Sequence, residues 1–260
     1  MIDPAAVASD EPIRPDQYWR VATHAWWMAN MGSPSQRYSY LAEVIMNVWV
    51  PFDRQRDWLM DRRLTGRRVW IQGSEEQAAE AGFEIIDRWP TGRWRAPYGD
   101  FPAVSAGRQP GPREGSWQRP TPDFLAALPR DPSQLLDQLR ADSPDDKPGY
   151  TGAFAYATDA LRTGLVPADL RAALYRALLI LPKAQITERS DTDNGQDLSL
   201  SIAGGDRLSE IFVNSANGQF AGERSTFTRD IGEFTAGTVQ TSTVVVTTVV
   251  DEIGQNGSSL

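Results

Sequence analysis

Residues 183–251 read KAQITERSDTDNGQDLSLSIAGGDRLSEIFVNSANGQFAGERSTFTRDIGEFTAGTVQTSTVVVTTVVD, and this stretch decides the fold. Its pattern is that of one antiparallel meander. The pairs Asn194-Gly195, Gly204-Gly205 and Asn217-Gly218 supply turn chemistry, because each tolerates the positive φ of a tight type I′ hairpin. They recur about every ten to twelve residues, the length of a strand plus its turn. Leu198, Leu200 and Ile202 alternate with Asp197, Ser199 and Ser201, which predicts one buried and one polar face. In the next strand Ile211 and Val213 fall on one face and Leu208 and Phe212 on the other, so both faces are expected to be covered. Residues 239–250 are almost all Val and Thr, a β-branched run that favours extended chain over helix.

The start of the chain repeats the strand signal. Residues 17–30 (QYWRVATHAWWMAN) put Trp19, Val21, Ala25 and Trp27 on one face, with Tyr18, Arg20, His24 and Trp26 on the other. After the turn residues Gly32-Ser33-Pro34-Ser35, residues 37–51 line one face with Tyr38, Tyr40, Ala42, Val44, Met46, Val48 and Val50. Residues 57–73 read as a third strand, broken near Gly66 by a turn or a bulge. Residues 74–120 are different in kind. They hold a short acidic stretch and then Pro, Gly and Arg in quantity, and they read as an irregular insert, either a mobile flap or an excursion pinned by Trp89, Trp94, Tyr98 and Trp117, with the tryptophans favouring partial order.

Helices follow. One is expected over 122–128, and another begins at Asp131-Pro132, with Asp as N-cap and Pro in the first turn. A third runs over 151–163, with Gly164 as its stop. In the fourth, Leu170, Ala173, Leu174, Ala177, Leu178 and Leu181 recur at helical spacing, the mark of a buried stripe. Strand runs set apart from helix runs predict an α+β fold with helices on one face of an antiparallel sheet.

Composition narrows the function. With 40% apolar and 10% aromatic residues the chain can build a core. A net charge of −8 argues against nucleic acid, which needs a basic face, and offers nothing to an anionic bilayer surface. The absence of cysteine removes thiolate nucleophiles and Cys-based metal sites, and a single histidine, His24, removes two-histidine metal motifs. Of the 26 basic residues only Lys147 and Lys183 are lysines, a skew that reflects codon usage. No run reaches the roughly eighteen apolar residues of a membrane span. The opening MIDPAAVASDEP has no signal-peptide pattern and reads as the cut end of a longer chain.

Chemical motifs are sparse. His24 lies on a strand without an evident acid or nucleophile beside it and reads as structural. Residues 191–197 (DTDNGQD) resemble a calcium loop, but the glycine comes one place early for an EF-hand and no glutamate closes the loop, so a hairpin turn is the simpler reading. The acid pairs Glu75-Glu76, Asp145-Asp146 and Asp251-Glu252 meet the minimal demand of a glycoside hydrolase, though adjacent acids ordinarily decorate a surface. Neither a phosphate-binding G-x-x-x-x-G-K-[ST] loop nor a G-x-S-x-G elbow is present. No cofactor, metal ligand set or catalytic group is expected. The unusual feature is the nine tryptophans. If the first two strands pair, Trp19, Trp27, Tyr40, Val44, Met46 and Val48 converge on one face, a candidate wall for an apolar ligand.

The opening Gln17-Tyr18-Trp19, the strand end Trp49-Val50-Pro51, Asp57-Trp58, and the blocks 123–133 (DFLAALPRDPS) and 167–182 (PADLRAALYRALLILP) resemble an actinobacterial family. Its members are membrane-anchored, carry an extracytoplasmic domain and are often encoded beside sigma factors. The coarse topology is similar to the lipoprotein-carrier fold of LolA and RseB, an unclosed half-barrel with helices on its concave side. The resemblance covers most of 15–250 and brings no catalytic residues. It implies one domain over 17–253 between a disordered leader (1–16) and a disordered tail (254–260). It further implies an extracytoplasmic location, with an anchor upstream of this sequence. With the apolar strand faces, it points to a non-enzymatic binding or sensing domain for a lipid, another apolar ligand or an envelope signal. The rival expectation is a module that binds a membrane partner and regulates an anti-sigma/sigma system. A third is a carboxylate-based hydrolase.

Overall fold

The computed structural model describes residues 5–33, 36–85, 89–143, 149–192 and 195–255. In chain order its elements are β1 (Tyr18–Ser33), β2 (Gln36–Pro51), β3 (Asp57–Gln72), α1 (Glu75–Glu80), β4 (Gly92–Pro97), α2 (Phe101–Ser105), α3 (Pro122–Ala127) and α4 (Pro132–Asp142). Then come α5 (Gly149–Arg162), α6 (Ala168–Leu179), β5 (Ala184–Thr192), β6 (Gly195–Gly204), β7 (Arg207–Asn214), β8 (Phe220–Phe227) and β9 (Val239–Val250). The architecture is α+β. The strands form one antiparallel sheet in the order β4-β3-β2-β1-β9-β8-β7-β6-β5, which ends in two edges and does not close.

The two ends of the chain meet at the centre of this sheet. β1 pairs with β2 over its whole length, from Tyr18 opposite Pro51 to Ser33 opposite Gln36, and pairs on its other side with β9. The Val/Thr run of β9 suits this central place, since β-branched side chains fill a pleated surface covered by neighbours. Of the turn or bulge expected near Gly66, the structure has the bulge: between Ala42–Arg68 and Val44–Leu64 the β2–β3 register shifts. The hairpin between β6 and β7 turns on Gly205 and Asp206, one residue later than the Gly204-Gly205 pair implied. Asn194, Pro34, Ser35 and the Asp145-Asp146 pair lie outside the described residues.

One face of the sheet carries the core. Leu198, Leu200, Ile202, Ile211 and Val213 from the strands join Leu135, Leu136, Leu139, Leu170, Leu174 and Leu178 from α4 and α6 in one apolar cluster. Each leucine fully withdrawn from water contributes roughly 1.5–3 kcal/mol, so this helix-on-sheet contact dominates stability. Asp131 caps α4, its Oδ1 accepting from the backbone N–H groups of Ser133 (3.1 Å) and Gln134 (3.0 Å). Leu208 and Phe212 on the other face of β7 are half-buried, and Arg224 lies over the Phe212 ring.

The insert 74–120 holds more structure than its composition announces. Ser74 caps α1, so the acidic stretch is a helix. β4 extends the sheet, with Trp94 opposite Met60 and Ala96 opposite Trp58. Trp117 is buried, donates to Asp142 (2.7 Å) and stands edge-on to Phe124.

Residues 5–16, expected as a disordered leader, lie against the domain. Asp10 accepts from the Arg171 guanidinium (2.6 Å) and from the backbone N–H of Ala168 (2.8 Å). Arg171 also donates to the carbonyls of Ser9, Val166 and Gly218. A buried guanidinium demands this many acceptors, and the leader supplies two of them. At the other end Trp49 donates to the carbonyl of Gln255 (2.8 Å), which ties down the beginning of the expected tail.

Candidate functional site

A cavity of about 530 Å3 lies between the sheet and the elements that cover it. Its sheet wall is Val21 of β1, Met46, Val48 and Val50 of β2, Trp58, Met60 and Arg62 of β3, and Trp94 of β4. The register explains this gathering. Val48 stands opposite both Val21 and Met60, and Met60 stands opposite Trp94. Residues directly opposite in an antiparallel pair share a face, so these side chains form one row across four strands. The facing wall is Phe101, Pro102 and Ser105 of α2, the loop residues Pro90, Gly99, Arg113, Gln118, Arg119 and Pro120, and the end of α5 with Asp159, Arg162, Thr163 and Leu165.

Local sequence places each wall. Gly99 adopts φ +64°, and a Cβ there would sit 2.4 Å from the Trp58 ring, so the turn after β4 lies flat on the indole only as glycine. Trp58 in turn donates to the carbonyl of Arg54 (3.0 Å). The end of α5 is fastened by Arg162, which donates to both carboxylate oxygens of Glu223 (2.7 and 2.9 Å) and to Asp159 (2.9 Å). Burial opposes the Arg162 charge, but these partners outweigh it and hold its pKa above the ordinary value.

The proposed apolar wall is resolved into parts. Trp19, Trp27, Val44, Met46 and Val48 share one face through the β1–β2 register, and Tyr40 belongs to the same alternation. Met46 and Val48 line the cavity. Trp19 packs beside them with Val50, covered by Arg54, whose Cζ lies 4.5 Å from the ring centroid and whose pKa burial pushes down to about 10. Trp27 meets Trp89 at 5.7 Å, and Tyr40 meets Trp70 at 5.1 Å. Val44 is buried. None of these three lines the cavity. Met60 was expected beside Met46 as an adaptable side chain of this site, whereas Trp94 was not, because β4 is too short to show alternation.

The polar groups of the cavity are unevenly paired. Arg62 has a buried Nε without a partner, and its Nη2 reaches only the sulfurs of Met46 and Met60, each at 3.7 Å. Thioether sulfur is a weak acceptor. Burial lowers the pKa of Arg62. Arg113 donates Nη1 to the carbonyl of Tyr98 (2.6 Å) and leaves a buried Nε unanswered. Its pKa is lowered by burial and by the neighbouring Arg119 charge, against the pull of Asp100.

His24 does find a partner, on the opposite face of the sheet. Its Nε2 lies 2.9 Å from Glu43, which also accepts from Thr65 (2.6 Å) and Arg67 (2.9 Å). The Thr65 hydrogen bond, and then those from His24 and Arg67, keep the Glu43 carboxyl below the usual range against the opposing cost of desolvation. An ionised Glu43 can only accept, so His24 donates. This cluster ties β1, β2 and the β3 bulge together. Glu75 and Glu76 sit exposed in the first turn of α1, and Asp251 is engaged by Arg14 and Gln17. Among the described residues no three metal-ligating side chains gather, and no helix is long and apolar enough to cross a membrane. No protein-family model matches the chain, and no curated protein sequence is significantly similar to it.

Proposed function

We propose that the chain is a non-enzymatic, extracytoplasmic binding or sensing domain that takes the apolar part of a ligand between its sheet and its helices, in the manner of the unclosed-barrel lipoprotein carriers. One observation carries this reading: a cavity of about 530 Å3 whose sheet wall is almost wholly apolar. That volume falls within the roughly 300–1,000 Å3 usual for small-ligand sites. Met46, Val48, Met60 and Trp94 are only half-buried, as expected of side chains that face a space and not a sealed core. Two methionines in the wall add adaptability to chains of different shape.

The test uses an uncharged apolar dye, N-phenyl-1-naphthylamine, with the delipidated chain. Saturable one-to-one enhancement of its fluorescence is expected, and Val48→Trp, which fills the cavity from β2, should remove it. A linear, non-saturating response of the wild-type chain contradicts the reading, and so does full binding by a folded Val48→Trp variant.

A further inference from the structure

This inference rests on the apolar-cavity reading and specifies the ligand. Buried cationic groups are ordinarily paired, because a guanidinium taken from water without acceptors is costly. The fold obeys that rule where it has the means. Arg171 is met by Asp10 and three carbonyls, and Arg162 by Glu223 and Asp159. Among the described residues no carboxylate forms an ion pair with Arg62 or Arg113, which come from facing walls of the cavity, and each keeps a buried Nε unpartnered. Arg20 also has unpartnered nitrogens, but it stands opposite Trp49 and Thr248 on the other sheet face, and it does not line this cavity. A chain of net charge −8 therefore keeps two guanidinium groups with unpartnered donors at its apolar pocket.

We propose that the ligand is an anionic amphiphile: an acyl chain lies along Val48, Met60 and Trp94, and its carboxylate or phosphate head is held by Arg62 and Arg113. The planar guanidinium fork matches either head in bidentate fashion, and the anionic head supplies an acceptor to each unpartnered Nε. The methionine sulfurs beside Arg62 are weak acceptors that an anion displaces readily.

The experiment displaces the bound dye from the delipidated full chain with oleate, with oleyl alcohol and with inorganic phosphate. Oleate should bind about tenfold or more tighter than the alcohol, the ratio expected for charge-assisted hydrogen bonds. Replacing both groups (Arg62→Met with Arg113→Met) should bring the ratio close to one, chiefly through weaker oleate binding. Equal affinity for oleate and alcohol in the wild-type chain overturns this inference while the apolar-cavity reading survives. Failure of both probes to displace a bound dye, or of the dye to bind at all, removes that reading too. Phosphate alone competing as well as oleate would mark a free-anion site and overturn the amphiphile. Should the double variant fail to fold, the wild-type ratio decides by itself.

Discussion

Glu43 is 4% exposed, and it is closed off by its immediate partners Thr65, His24 and Arg67. Its carboxyl is held below the usual range chiefly by the Thr65 hydrogen bond. A lowered folded-state pKa means that the stabilisation is fully present above the unfolded value and is lost as pH falls through the folded one. Glu43→Gln should therefore melt at a lower temperature than the wild-type chain above about pH 5, with the gap narrowing on acidification. Thermal unfolding from pH 3 to 7 checks this, and a gap that widens toward acid would reverse the sign. The pair was half legible in the sequence. His24 and its strand were visible, but its acid was not, because the partner follows only from the hairpin register. Trp26 stands opposite Glu43, which makes His24 its diagonal neighbour on the same face.

The end of α5 shows how an element is fixed by close approach. Gly164 stops the helix at φ +68°, and a Cβ there would lie 2.7 Å from Val21 Cγ2 and 2.9 Å from Thr247 Oγ1. Gly232 has a similar φ of +57° but open space around it. Gly232→Ala should cost about 1 kcal/mol from backbone strain alone. Gly164→Ala should cost more, on the order of 2–4 kcal/mol, because overpacking against Val21 is added to the strain. Urea unfolding of the two variants measures the difference, and equal midpoints would mean that the helix end is free to shift. Long elements announced themselves: β2 by unbroken alternation, α4 by Asp131-Pro132, α5 by Gly164. α1, α2 and β4 did not, being five or six residues long, whereas α3, equally short, was marked by Thr121-Pro122 at its start. Elements that short take their stability from packing on Tyr38, Trp58 and Met60, and propensity alone does not reveal them.

At the scale of the molecule, the sheet is two meanders joined where β1 meets β9. The helices α3 to α6 cover the second meander and the insert covers the first, so the cavity opens under the seam between them. The class of fold was readable from runs of strands and helices. Strand order was not, since the β1–β9 pairing joins residues more than two hundred positions apart and no local pattern encodes it. The site inherited part of that blindness: Met46, Val48 and Met60 were legible, and Trp94 across β4 was not. The account depends on an apolar chain entering beside Trp58 and Trp94, and bromine on that chain quenches tryptophan only on contact. Titration with a fatty acid brominated at mid-chain should quench the wild-type fluorescence saturably. The Trp58→Phe, Trp94→Phe double variant should bind the same ligand by native mass spectrometry but lose most of the quenching. Undiminished quenching in that variant would place the chain elsewhere and contradict the account.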